Sequence, residues 1–341
     1  DAKHPRRREP LPPPPDLLEY TAGFTEKDYD VSVETMVRAL QSVDLDSGPG
    51  LDGCYFTHLR CLLDGALEPY TEFVNLKHRC CLPEWFYLVY VSIRLVGLNK
   101  LDPRDVPASD MDYRPVGIGF ASRRLDTRAL FVRAAPLILD ACGPTQFCGR
   151  KSGGTGLLLA LRAMLDANPT FVVAKLDIKN AYNSVSRPAI LRRVRSTPAL
   201  RRYYPFFYAL LRPKSYVGVG SGFKVVPASF LSEDGTQQGA VEGGPLFHLA
   251  VADSNFDSNA ELFSSGGALI AGSDDTLLIG PPDLVRAVIP HHSSRVASVG
   301  LELQASKTRC YTLPENRTNP EYLRLIEDFP AGSLSDGQAI Y

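Results

Sequence analysis

Three aspartates stand where a carboxylate is expensive. Asp177 closes the apolar run Phe171–Leu176, and Asp274 and Asp275 sit in a short polar turn between Ala268–Ala271 and Leu277–Ile279. An acid among apolar neighbours is costly unless it is paired, hydrogen-bonded or bound to a metal. Taken alone, an Asp-Asp pair in a turn is an ordinary solvated turn, because aspartate suits turn backbones. The two sets together point further. Three carboxylates converging from neighbouring strands would make an all-oxygen site suited to a hard divalent cation such as Mg²⁺, with Mn²⁺ as a substitute. Phosphoryl transfer uses such sites, often with two ions about 3.5–4 Å apart that stabilise the attacking and the leaving oxygen.

Several elements must position these acids. Residues 268–279 have the pattern of a buried β-hairpin, and residues 171–176 that of a buried strand. A helix over Leu157–Leu165 leads into that strand. After it, Ser186-Arg187-Pro188 is a helix start, with a hydroxyl cap and proline in the first turn. Leu246, Leu249, Ala250 and Asp253 share one helical face. Residues 283–298 form an amphipathic helix, followed by a strand at Leu301–Leu303.

Four segments in order resemble the motifs of reverse transcriptases, closest in flavour to the non-LTR retrotransposon type. D-I-K-N-A-Y-N-S-V (177–185) is similar to motif A, and T-Q-Q-G-A-V-E-G-G-P-L-F (236–247) to motif B. G-S-D-D (272–275) falls where motif C belongs, and G-L-E-L-Q-A-S-K-T (300–308) is similar to motif D. The resemblance implies an RNA-directed DNA polymerase of a retroelement. Its fold would be α+β: the fingers and palm of a right-hand polymerase, with an antiparallel palm sheet backed by helices. Asp177, Asp274 and Asp275 would be catalytic carboxylates, with the Ile178 carbonyl as a further ligand to two Mg²⁺ ions. Lys307 would protonate the pyrophosphate leaving group. Tyr182 would exclude a ribose 2′-hydroxyl, and Gln238 and Gly239 would lie beside the nucleotide sugar. Arg114, in an R-P-V context, and Lys100 would hold the triphosphate, since a guanidinium grips phosphate in bidentate fashion and an ammonium adds a point charge. RNA template, DNA primer and dNTPs are the implied partners.

The remaining segments fit around this frame. The first 22 residues are a basic, proline-rich linker containing Arg6-Arg7-Arg8, expected to stay extended rather than pack. Residues 23–168 are a fingers region and 169–332 the palm, with 192–235 partly on the fingers side. Residues 333–341 begin a connection toward a primer grip and thumb expected beyond this chain. Helices are expected over Glu26–Leu40 and Phe56–Leu67. Leu88–Leu95 alternates like a strand, and Tyr113–Ile118 would pair with it, with Lys100 and Arg114 near the tips. Arg123, Arg124, Arg128 and Arg133 dot a helical segment, where a template groove and a solvated face explain them equally well. Gln146–Gly154 is a glycine-rich basic loop without P-loop spacing. Tyr203–Leu211 is aromatic core, and Val217–Phe230 two short strands.

Composition bounds the function. The chain has 341 residues, 44% of them hydrophobic, and a net charge of −1, which argues against a generic basic nucleic-acid coat but not against a localised basic surface. Seven cysteines without a C-x-x-C pair suggest neither a zinc site nor a disulfide framework. A reducing intracellular compartment, nucleus or cytoplasm, follows, and no apolar run approaches membrane-span length. Oligomeric state is not readable. Two departures from the family pattern stand out: Glu242 where an apolar residue is usual, and Gly272 where a large residue precedes the acids. They keep two other readings open, a relict that binds nucleic acid without chemistry and, from the paired acids, an RNA-dependent RNA polymerase.

Overall fold

A computed structural model describes residues 5–15, 30–99, 113–221 and 224–328. It is a mixed α/β structure with two four-stranded sheets, and the chain forms two compact units. One comprises Asp1–Ile138 and Tyr182–Leu246; the other comprises Leu139–Ala181 and Phe247–Tyr341.

In the first unit, α1 (Val33–Gln41) starts where the Ser32 hydroxyl accepts from the Thr35 amide. It buries Met36, Ala39 and Leu40 at helical spacing. The short helix α2 (Phe56–Leu59) and a 3₁₀ turn end at Gly65 in the left-handed region, before α3 (Leu67–His78) and α4 (Glu84–Tyr90). Two expectations change here. The helix expected over residues 56–67 is broken at Gly65, and the alternating stretch from Leu88 is helical through Tyr90. Pro83 caps α4, and the helix turns Tyr87 and Tyr90 inward, a spacing that strand periodicity cannot meet. Strand β1 (Ile93–Asn99) begins only after it and pairs antiparallel with β2 (Tyr113–Gly119). Helix α5 (Ala121–Ala141) follows.

Farther along the same unit, α7 (Ala181–Ser184) leads to α8 (Arg187–Ser196), capped by Ser186, and to the buried aromatic helix α9 (Tyr204–Leu211). Strands β4 (Val217–Ser221) and β5 (Lys224–Pro227) complete a sheet of order β2-β1-β4-β5. A buried polar cluster braces the unit: the Lys77 ammonium donates to Asp126 at 2.6 Å, and the Tyr70 and Tyr90 hydroxyls donate to the same carboxylate. The N-terminal segment is not a free linker. Arg7 donates to the carbonyls of Leu211, Arg212 and Glu233, and the Tyr204 hydroxyl donates to the Pro13 carbonyl. A guanidinium offering five donors to main-chain carbonyls outweighs the tendency of a proline-rich arm to stay solvated.

The second unit is built on the sheet β6-β7-β3-β8, every strand pair antiparallel. Helix α6 (Gly153–Ala167) precedes β3 (Val172–Leu176). The long helix α10 (Gly243–Phe263) leads to β6 (Ala268–Gly272) and β7 (Asp275–Gly280). Then come α11 (Pro282–Ala297), β8 (Arg309–Tyr311) and α12 (Pro320–Asp328). Alternation decides the two faces. Val172, Ala174 and Leu176 pack with Leu278 and with Val285, Val288 and Ile289 of α11. Val173, Leu277, Ile279 and Ile270 pack against Leu157 and Leu165 of α6.

Buried histidines make both units sensitive to acid. Burial, with Lys77 beside it, lowers His78 from 6.5 to about 3, and burial lowers His292 to about 4. Each ring stays neutral in the folded chain while the unfolded chain takes up a proton. Stability is therefore complete above about pH 6.5 and falls as the pH drops toward the folded values, by up to about 1.4 kcal/mol per pH unit for each ring. Urea midpoints measured from pH 7 to pH 4.5 should fall accordingly, and His78→Phe should flatten that decline.

Candidate active site

The pairing of β3 with β7 brings Asp177 and Asp275 to one rung, with Asp274 in the adjoining turn. The strand register runs from Val172 opposite Gly280 to Leu176 opposite Thr276, so the next rung opposes Asp177 and Asp275. By alternation Lys175, Asp177 and Asp275 lie on the α6 face, in line with Val173 and Leu277. The β6–β7 hairpin closes on Gly272 paired with Asp275, and its two-residue turn is Ser273-Asp274. Asp177 and the 268–279 hairpin thus share one sheet, as the residue pattern predicts. Gly272 supplies a rung of the hairpin that needs no large side chain.

Two lysines reach these acids. The Lys307 ammonium lies 3.8 Å from Asp177 Oδ2, and the Lys175 ammonium 3.3 Å from Asp275 Oδ2. Segment 302–304 runs beside Asp177: the Gln304 amide donates to the Asp177 carbonyl at 2.8 Å, and the Lys179 amide to the Glu302 carbonyl at 2.9 Å. Ile178 faces Leu303 between these bonds. In an antiparallel ladder the peptide groups of such a residue point away from that partner, so the Ile178 carbonyl is turned toward the β7 side, where the acids are. The donors are all oxygen, which suits Mg²⁺ or Mn²⁺. Among the described residues, however, no group of three or more His, Cys, Asp or Glu is gathered closely enough to hold a metal ion. As they stand, two of the carboxylates answer to lysines.

The turn that carries Asp274 is held by residues the sequence pattern did not single out. Ser273 has φ of +68°, in the left-handed region that costs a non-glycine residue energy. The Gln146 side-chain carbonyl accepts from the Ser273 amide at 3.1 Å and from the Cys148 amide at 2.9 Å. The backbone on either side of Gln146 bonds to Ala271 of β6. His248 Nε2 shares a 3.2 Å hydrogen bond with the Ser273 hydroxyl, and burial pushes this ring down to about 4, so it is neutral. The one legible signal was Lys175, a charge inside an apolar strand at the same parity as Asp177.

The first unit gathers the other predicted residues. Arg114 is exposed on β2, opposite Leu98. The Gly117 amide donates to the Gln238 carbonyl at 2.9 Å along the free edge of that strand. Gly239 has φ of +97°, and a Cβ there would meet Val116 at 2.8 Å, so only glycine lets this loop lie so close. The same loop reaches half-buried Tyr182, whose carbonyl accepts from the Thr236 amide at 2.7 Å. Arg114, Gln238, Gly239 and Tyr182 are thus tied through one loop. Lys100 lies outside the described residues.

Glu242, out of place by family pattern, has a local partner. Arg123 is buried; it donates to Glu242, to the Gln237 side-chain carbonyl at 2.8 Å and to the Val91 carbonyl at 3.3 Å. Arg124 donates to Ser47 and to the Gly48 carbonyl. These two arginines bond within the unit, and Arg123 has no exposed face with which to line a groove.

No protein-family model matches the chain, and no curated protein does. Among solved structures, the chain is similar to apo telomerase from Candida tropicalis truncated from the C-terminal domain, with TM-score 0.45 and 10% identity. That likeness covers 65% of this chain and half of the other.

Removing one member of the Arg123–Glu242 pair should strand a buried charge. Glu242→Gln is expected to cost about 3–5 kcal/mol by urea denaturation, and adding Arg123→Met should recover much of the loss.

Proposed function

We propose that this chain is a template-directed nucleotidyltransferase of the reverse-transcriptase type, which joins a dNTP to a primer 3′-hydroxyl on an RNA template. The observation that carries this reading is the register of β3 against β7, with Asp177 and Asp275 opposite each other on the rung beyond the last paired one and Asp274 in the adjoining turn. Asp177 and Asp274, with the Ile178 carbonyl and Asp275 as the weaker donor, are the residues that would hold divalent ions. Such ions, when bound, supply charge neutralisation for in-line phosphoryl transfer. The rest falls to the chain itself. Arg114, with Lys100, grips triphosphate oxygens. Gln238 and Gly239 border the sugar. Lys307 gives a proton to the departing pyrophosphate. The Tyr182 ring leaves no room for a 2′-hydroxyl and so discriminates by clash.

The lysines give one specific observation in favour of a second reading. Lys307 and Lys175 already neutralise two of the carboxylates, as befits a relict that binds nucleic acid without chemistry. An ion entering this site must displace both ammonium groups. No helix among the described residues is long and apolar enough to cross a membrane.

Primer extension on an RNA template with Mg²⁺ decides between them. Wild type should extend, and Asp177→Asn and Asp274→Asn should each lose more than about a hundredfold in rate with unchanged melting temperature. No extension by wild type would leave the relict reading. Where wild type extends, Tyr182→Val should narrow the preference for deoxynucleotides over ribonucleotides by at least about tenfold. Equal use of both sugars by wild type would favour an RNA polymerase instead.

A further inference from the structure

One stretch of the first unit is unusually basic. Between residues 187 and 202 there are six arginines and no acid, in a chain whose net charge is −1. Helix α8 and the 3₁₀ turn Pro198–Tyr203 sort them. Ile190, Leu191, Val194, Leu200 and Tyr203 are buried, whereas Arg192, Arg195 and Arg201 are exposed. Arg187 is buried and spends its guanidinium on the carbonyls of Leu211, Pro213 and Gly235 and on the Ser232 hydroxyl.

The N-terminal arm extends this surface. Arg7 turns inward and pins the arm to main-chain carbonyls, while Arg6 and Arg8 on either side of it are exposed. Glu9, the acid next in the arm, is taken up by Arg192 at 3.0 Å. Its place in the chain brings Arg8 to the side of α8. A run of like charges on a solvated helix would ordinarily be unremarked. Here a half-buried arginine anchors a second basic segment against the first, and the Glu9–Arg192 pair fastens the two, so that Arg6 and Arg8 add to the arginines of α8.

We propose that this face, formed by Arg6, Arg8, Arg192, Arg195 and Arg201, binds the phosphate backbone of nucleic acid without reading bases. Guanidinium groups match phosphate geometry, and neutralising phosphates releases counterions, which gives such binding its salt dependence. An anionic membrane is the poorer fit. A helix lying in a bilayer interface needs an exposed apolar face, and the apolar residues Ile190, Leu191 and Val194 of α8 are all buried. The inference does not rest on the catalytic reading, because no residue in it belongs to the catalytic or nucleotide-binding set.

The test is fluorescence anisotropy of the full chain with short labelled DNA and RNA duplexes, titrated between about 50 and 200 mM salt. Arg8→Gln, Arg192→Gln and Arg195→Gln are combined in one variant. Three fewer phosphate contacts should make the slope of log affinity against log salt shallower by about 2.7, so that wild type loses about fortyfold more affinity than the variant over this range. A control variant carries Arg60→Gln, Arg162→Gln and Arg324→Gln, exposed arginines outside this face, and should keep the wild-type slope. The DNA and RNA arms show which backbone is preferred; binding of either with the expected slope change supports the proposal. An unchanged slope in the first variant, an equal change in the control, or tighter binding to phosphatidylserine vesicles than to both duplexes would overturn it. Asp177→Asn should bind as wild type does, so loss of polymerase activity and loss of this face are separately visible.

Discussion

The pairing of β3 with β7 is the constraint on which the rest depends. Strand periodicity is two, so a slip of one residue would send Asp177 and Lys175 into the core packed by α11 and exchange the apolar residues of β3 between its two packed faces. The register is held because both faces of the sheet are apolar and covered. Val172, Ala174 and Leu176 fill one side, and Val173, Leu277 and Ile279 fill the other. The acids therefore stand at the end of a strand that cannot shift without exposing its core, which is how a soft polar cluster acquires a fixed geometry.

Around that fixed end the chain stores polar groups at some cost. Ser273 adopts a left-handed backbone, and the buried Gln146 amide answers it with two accepted hydrogen bonds. The first unit solves a similar problem with buried charge. Asp126 meets Lys77 and two tyrosine hydroxyls, Glu242 meets Arg123, and Arg187 is met by main-chain carbonyls. A buried charge is tolerable only when paired and hydrogen-bonded, and removing one partner costs more than the pair contributes. The departure at Glu242 is thus the partner of Arg123, and it ties the Gln237 loop to helix α5.

The carboxylate end also carries a tension between two charge arrangements. Ammonium groups at 3.3 and 3.8 Å satisfy the acids electrostatically. A divalent ion would compete with these lysines for the same carboxylate oxygens. The same residues can therefore read as a resting arrangement of an enzyme or as the settled arrangement of a relict. Charge balance alone does not separate the two; activity does.

Most elements of the second unit were legible from residue pattern, because periodicity and turn residues act over a few neighbours; the strand expected at Leu301–Leu303 is only a bridge at Leu303, and the strand beside β3 is Arg309–Tyr311. The hairpin at 268–279, the strand before Asp177 and the Ser186 cap all follow from local sterics and alternation. What local pattern could not decide were outcomes of competition at a distance. The stretch from Leu88 fits a strand and a helix alike, and only burial of Tyr87 and Tyr90 chooses the helix. Arg7 reads as a linker charge until three carbonyls, far along the chain, offer it partners. Arg123 reads as a surface cation until Glu242 lies beside it. The residue types determined which groups are available here: acids and lysines at the end of a buried sheet and a glycine that lets one loop lie close to a strand. Tertiary structure alone decided which charges pair with one another, because pairing energies depend on distance and burial, and neither is written in the order of residues.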